Sequence, residues 1–209
     1  MKLAVIGANG KAGQLIVKEA LAKGVDVTAI VRQVNKSEAD KVLTKDLFDL
    51  TYSDLKDFDV IVDAFGVWAP EQLHLHSSSL KHLADILSGH KNRLLVVGGA
   101  GSLYLDKEHK NRLMDQSDFP DLFKPLAENM GAALDELKKR NDFNWTYISP
   151  AADFQADGRR TGSYTLGGEE FKTTADGKSY ISYADYALAV IDEALSGSHY
   201  QQRISVISE

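Results

Sequence analysis

The chain contains no cysteine. A disulfide scaffold, a thiol nucleophile and a cysteine-ligated metal are excluded together. Positive charge is in deficit: 24 lysines and arginines stand against 30 acids, for a formal net charge of −6. Nucleic acid is not an expected partner of such a surface. No apolar run approaches membrane-spanning length, so no membrane partner is expected either. The apolar stretch that opens the chain runs straight into Gly7 and is too short for a secretory signal, which leads to a cytoplasmic expectation. The Asn-x-Ser/Thr triplets at Asn35 and Asn144 then read as chance matches.

What is present is ordinary globular material. The 209 residues are 44% hydrophobic and 26% charged, enough for one domain spanning 1–209 with a real core. Short apolar runs alternate with amphipathic stretches. Strands are expected at 3–6, 25–31, a short run ending near Asp46, 59–65, 93–97, 143–148 and 203–207. Helices are expected at 11–23, 70–87, within 120–140, and at 182–195. This rhythm predicts an α/β fold: a doubly wound, Rossmann-type parallel sheet with right-handed crossovers. Between 158 and 181 the rhythm breaks, and Gly162, Gly167-Gly168 and Asp176-Gly177 punctuate short runs. This segment, within about 151–182, reads as a small β-rich C-terminal excursion on the substrate side.

Gly7-Ala8-Asn9-Gly10-Lys11-Ala12-Gly13 lies between the first strand and the first helix. A sharp turn, a backbone that must approach a pyrophosphate, and close packing of helix on strand each call for glycine. The helix N-terminus adds free N–H groups and a positive dipole end. In that context the spacing predicts a dinucleotide site. An NAD site usually carries an acid at the end of the second strand, for the ribose 2′-hydroxyl. Here that strand ends Val31-Arg32. Arg32 suits a 2′-phosphate, with Lys36 close by, so NADP(H) is expected in preference to NAD(H). A solvated surface arginine would look the same.

The GxxGxxG spacing resembles the atypical and extended branches of the short-chain dehydrogenase/reductase superfamily. That resemblance, with the strand order, implies Asp46 on the adenine and Ala64, Phe65 and Gly66 against the adenosine ribose. A turn-forming aspartate is the plain alternative for Asp46. The superfamily's usual proton chemistry needs Tyr-x-x-x-Lys on the helix after the fifth strand. Of eight tyrosines only Tyr52, four residues before Lys56, fits the pattern, and it precedes the fourth strand. The match is read as chance. The helix expected within 120–140 has no tyrosine. Ser102 is the one candidate polar contact near a nicotinamide, though its backbone could equally satisfy it. His74 and His76, two apart on an expected helix, point to different faces and cannot chelate one metal; they read as surface residues, and no metal site is expected.

The segments around Trp145–Phe154, Thr161-Gly162-Ser163-Tyr164 and Ile181-Ser182-Tyr183-Ala184-Asp185 sharpen the resemblance. Over essentially the whole chain the sequence resembles the bacterial NADH-flavin reductase-like family, which is similar to the mammalian NADPH-dependent flavin reductase, biliverdin reductase B. The resemblance implies nicotinamide binding along Gly98, Gly99, Ala100 and Ser102 and along Pro150 and Ala151. Phe154 and Tyr164 would face the second substrate, and Trp68, after the fourth strand, could stack on its ring. Ser182 and Asp185 have a local account as a helix capping box.

A flavin accepts hydride at N5 without a protein acid, which fits the missing Tyr-Lys pair. The expected activity is NADPH-dependent reduction of FMN, riboflavin or a quinone-like planar acceptor, with flavin as substrate rather than bound prosthetic group, in a monomer or small homo-oligomer. The alternative is a non-catalytic NADP(H)-binding redox sensor of the NmrA-like kind. An epimerase or dehydratase would need the proton-transfer residues that are absent.

Overall fold

The computed structural model describes residues 1–209. Its elements are β1 (Lys2–Ile6), α1 (Lys11–Ala22), β2 (Asp26–Val31), β3 (Lys41–Thr44), the single-turn α2 (Tyr52–Leu55), β4 (Val60–Asp63), α3 (Leu75–Leu87), β5 (Arg93–Val97), α4 (Lys124–Leu137), β6 (Asn144–Pro150), β7 (Asp153–Gln155), β8 (Thr165–Gly167), β9 (Tyr180–Ser182), α5 (Tyr183–Ser196) and β10 (Gln202–Ile207).

The main sheet runs β3-β2-β1-β4-β5-β6-β10-β8. Every pairing in it is parallel except β10 with β8. The expected Rossmann-type sheet is therefore present. The chain winds outward from β1 to β3, then restarts at β4 on the other side of β1. That reversal opens a crevice above the carboxyl ends of β1 and β4, where doubly wound folds bind ligands.

The sheet separates two apolar layers. On one face α1 and α5 cover Leu3, Val5, Val62, Ile148 and Val206. On the other, α3 and α4 cover Ala4, Ile61, Leu94, Val96 and Trp145. β1, β4 and β5 are buried on both faces, which explains their nearly continuous apolar sequence.

The structure refines two expectations. The helix expected over 70–87 is a short 3-10 turn at Pro70–Gln72 followed by α3 from Leu75. Pro70 suits the first position of that turn, where its missing N–H costs nothing. The C-terminal excursion contains little strand. β8 is an exposed edge strand on the main sheet, and β9 pairs with β7 as a separate two-stranded sheet. Between 158 and 180 no residue is buried, so the segment has no apolar face on which to build a layer of its own.

Candidate functional site

The glycine turn sits at the reversal between β1 and β4. Gly7 has φ +72°, and a Cβ there would stand 2.6 Å from the carbonyl oxygen of Ala64. The residue must be glycine for backbone shape and for the close approach of the β4 end. A Cβ on Gly13 would drive into the Gly7 carbonyl and stand 2.9 Å from Ala8 Cα, so α1 presses directly on the turn. Gly10 precedes α1 and offers no side-chain cap. The first helical bond is from Gln14 N–H to the Gly10 carbonyl, 2.9 Å. The N–H groups of Lys11, Ala12 and Gly13 are left without backbone acceptors at the positive end of the helix dipole. Three such donors suit phosphate oxygens.

Asn9 ties this turn to the loop after β2. Its Nδ2 donates to the Val34 carbonyl at 2.9 Å, and its Oδ1 accepts from Lys36 N–H at 2.7 Å. The loop carrying Arg32 and Lys36 is thereby held beside the glycine turn. Arg32 is exposed and makes no hydrogen bond or ion pair within the chain. Asp46 accepts from Phe48 N–H at 3.0 Å and caps the turn Leu47–Asp49, the local role foreseen as its alternative. Phe48 and Phe65 meet edge to face, 6.5 Å between centroids.

After β5 the glycines have packing causes. A Cβ on Gly98 would enter the Tyr147 ring, and one on Gly101 would strike Ala127 of α4. Gly99 N–H donates to the Tyr147 hydroxyl at 3.2 Å, and a Cβ on Gly99 would stand 3.1 Å from Met130 Sδ. Ala100 follows, half-buried, and Pro150 and Ala151 close the end of β6, both buried. Phe154 packs on Tyr183, 3.9 Å between centroids, and on Tyr186 at 4.8 Å. Trp68, in the loop after β4, is 69% exposed.

Three expectations are corrected. Ser102 is buried, and its hydroxyl accepts from Arg203 at 2.9 Å. Arg203 is itself paired with Glu169, so Ser102 braces the loop after β5 rather than facing the crevice. Tyr164 turns into the helix layer: its ring packs against the α1–α5 core and its hydroxyl donates to Asp192 at 3.0 Å. Burial and the Asp192 carboxylate push that phenol up to about 12. His76 is buried instead of exposed, with its Nε2 3.1 Å from the Val67 carbonyl, whereas His74 lies on the surface as expected.

Tyr52 and Lys56 lie far from the crevice. α2 leads into the amino end of β4, and Tyr52 stacks on His90 at 3.4 Å, in the turn before β5. Both belong to the amino end of the central strands, opposite the end that carries the glycine turn. At the head of α5, Ser182 accepts from Asp185 N–H at 3.0 Å, as a capping residue should. Asp185 also accepts from the backbone N–H groups of Thr161 and Gly162 at 2.8–3.0 Å. With the Arg160–Glu19 pair at 3.2 Å, these bonds anchor the excursion onto α5 and α1.

Asp63, the last residue of β4, drew no notice within an apolar run. Its side chain points into the α3–α4 layer and is 5% exposed, and its one protein hydrogen bond is from Phe65 N–H at 3.0 Å. With no cation beside it, burial raises its carboxyl to about 7.

A parallel sheet with free helix-end donors at its topological reversal is the architecture of a Rossmann-type dinucleotide-binding protein. The family model described as NAD(P)H-binding matches residues 7–194. The chain belongs to this NAD(P)H-binding family. It is 49% identical to the uncharacterized protein YwnB of Bacillus subtilis, over 100% of this chain and 99% of that one. The crystal structure of a "putative NADH-flavin reductase" from Streptococcus pneumoniae superposes with a TM-score of 0.98 at 52% identity, covering 100% of both chains. A "putative epimerase" from Bacteroides thetaiotaomicron gives a TM-score of 0.86 at 34% identity, over 99% of this chain and 96% of that one.

Proposed function

We propose that this protein is an oxidoreductase that transfers hydride from NADPH to a flavin or another planar acceptor, on one cofactor-binding domain of residues 1–209. The observation that carries the reading is the missing acid–base pair. α4 bears no tyrosine, and the serine after β5 is buried on Arg203. A carbonyl substrate would need a proton at the moment of transfer, whereas flavin N5 does not. The name of the pneumococcal neighbour supports the same acceptor. The dinucleotide phosphates would lie on the donors of Lys11, Ala12 and Gly13, the adenosine toward Asp46 and Ala64-Phe65-Gly66, and the nicotinamide toward Gly98, Gly99, Pro150 and Ala151. Trp68 and Phe154 would flank the acceptor. The site would work in the cytoplasm, with flavin arriving and leaving as a substrate.

The assay is direct. Purified protein with NADPH and FMN is expected to consume NADPH well above the protein-free rate. Tight NADP(H) binding without turnover on FMN, riboflavin or quinones would overturn the reductase reading in favour of a redox-sensing binder.

Choice of dinucleotide rests on Arg32. The name of the pneumococcal protein specifies NADH, while Arg32 and Lys36 favour a 2′-phosphate by charge. Replacing Arg32→Asp removes a charge-assisted contact worth about 1.5–3 kcal/mol and adds repulsion. NADPH affinity is expected to fall by about 10- to 100-fold or more, with NADH affinity retained or improved. Equal losses for both cofactors in a fluorescence titration would refute the role.

A further inference from the structure

Asp63 has chemistry that the hydride-transfer reading leaves unused. Its carboxyl projects into a cavity of about 20 Å³ beneath the carboxyl ends of β4 and β5, room for about one water. α3, α4, β5 and β6 line that cavity, and only two of their lining residues titrate, His76 and Tyr147. Neither supplies a positive charge. Burial lowers the His76 pKa, so the imidazole is neutral near pH 7, and burial holds the Tyr147 phenol at about 12. Neighbouring β1 contributes Ile6 and β5 contributes Val96, both apolar. A carboxylate here would have only the Phe65 N–H to stabilise it.

The same corner of backbone carries the glycine turn. Asp63 pairs in register with Ile6, the residue before Gly7. The carbonyl of Ala64, next in sequence, is the group that approaches Gly7 at 2.6 Å from where a Cβ would stand. Ala64 N–H donates to the Ile6 carbonyl at 3.0 Å. A buried, uncompensated carboxyl thus sits one strand over from the glycine turn, on the sheet face that α3 and α4 cover and at the same carboxyl end as the free donors of α1. Bringing phosphate charge onto those donors disfavours a second negative charge in the low-dielectric layer at that end of the sheet.

We propose that Asp63 is a proton-linked positioning residue for the dinucleotide: cofactor binding and protonation of its carboxyl favour each other. In its neutral form the side chain still accepts from Phe65 N–H and holds the turn at Ala64-Phe65-Gly66 without repelling the phosphates. In its ionised form it opposes them. Linkage is reciprocal, so the factor by which the proton tightens cofactor binding equals the factor by which cofactor tightens proton binding. The proton comes from solvent and returns to it when the cofactor leaves. This rests on the reading of residues 7–13 as the phosphate cradle.

The test uses NADH, which lacks the 2′-phosphate and has no group of its own titrating between pH 6 and 9. Titration calorimetry in two buffers of different ionisation enthalpy counts protons taken up. Wild-type protein is expected to take up a net fraction of a proton near pH 7.5 and to bind NADH about tenfold more weakly at pH 8.5 than at pH 6. Asp63→Asn, which keeps an acceptor for Phe65 N–H, is expected to flatten that dependence and abolish the uptake, with its fold checked by melting. Should that variant fail to fold, Asp63→Ser, smaller, uncharged and still able to accept a hydrogen bond, is measured in its place. NADH binding with no uptake and no pH slope overturns the linkage while leaving the cofactor reading intact. So does a slope and uptake that persist in Asp63→Asn. No NADH binding at any pH overturns both.

Discussion

Substituting Gly13→Ala is expected to abolish measurable dinucleotide binding, with affinity for NADPH falling more than about 100-fold. The added methyl would overlap the Gly7 carbonyl and reach 2.9 Å from Ala8 Cα. Both are backbone atoms, so no side chain can move aside. α1 must shift off β1, and the N–H groups of Lys11, Ala12 and Gly13 lose their common focus. Losing two charge-assisted hydrogen bonds at about 1.5–3 kcal/mol each accounts for the effect on affinity. The overpacking itself costs about 1–3 kcal/mol of stability. Gly24→Ala is the matched control. Gly24 ends α1 with φ +69° and has open space around its Cβ position. It is expected to cost about 1 kcal/mol through backbone strain and to leave affinity unchanged. Retention of NADPH binding within tenfold in Gly13→Ala would show that the phosphates do not sit on this turn.

Unfolding experiments on the free protein are expected to show a pH dependence that Asp63→Asn removes. The Asp63 carboxyl is raised to about 7 in the folded chain from an ordinary 3.8. The folded state therefore holds a proton that the unfolded chain releases. The contribution of this group is fully present below about pH 3.8 and is lost as pH rises through about 7, by up to about 4 kcal/mol. Asparagine carries no charge to bury. Measured by urea denaturation, the stability of Asp63→Asn relative to wild type is expected to increase by about 2–3 kcal/mol between pH 5 and pH 8. A constant difference across that range would mean that the carboxyl is solvated in the folded state. Because no cofactor is present, this result bears on the burial of Asp63 alone, separately from its linkage to the dinucleotide.

The two substitutions probe features of very different legibility. Gly7, Gly10 and Gly13 are readable because their cause is local and steric: a strand must turn within a few residues into a helix that packs against it. The alternation of apolar runs and amphipathic stretches is local too, and it was enough for the seven parallel strands of the main sheet but not for β8 at its edge. Arg32 could be placed from the end of β2, and the missing tyrosine of α4 is a plain fact of composition.

Where a side chain points is another matter. Ser102 reads as a site residue until Arg203, 101 residues later, takes its hydroxyl. Tyr164 reads as a roof until Asp192 of α5 draws its phenol into the helix layer. His76 reads as exposed until the end of β4 and α4 close over it. These outcomes depend on partners brought together only by the sheet order β4-β5-β6-β10. Asp63 is the extreme case, since nothing about an aspartate after Val60-Ile61-Val62 announces its state. Its proton affinity is set by the absence of water and of cations around it, and α3, α4 and β6 create that absence. The sequence by itself determined the doubly wound fold and the glycine turn at its reversal, because both follow from periodicity and from the bare backbone of glycine. Only the tertiary structure decided which polar groups face the crevice and which carboxyl is raised to about 7 at the end of β4, because desolvation belongs to a neighbourhood and not to a residue.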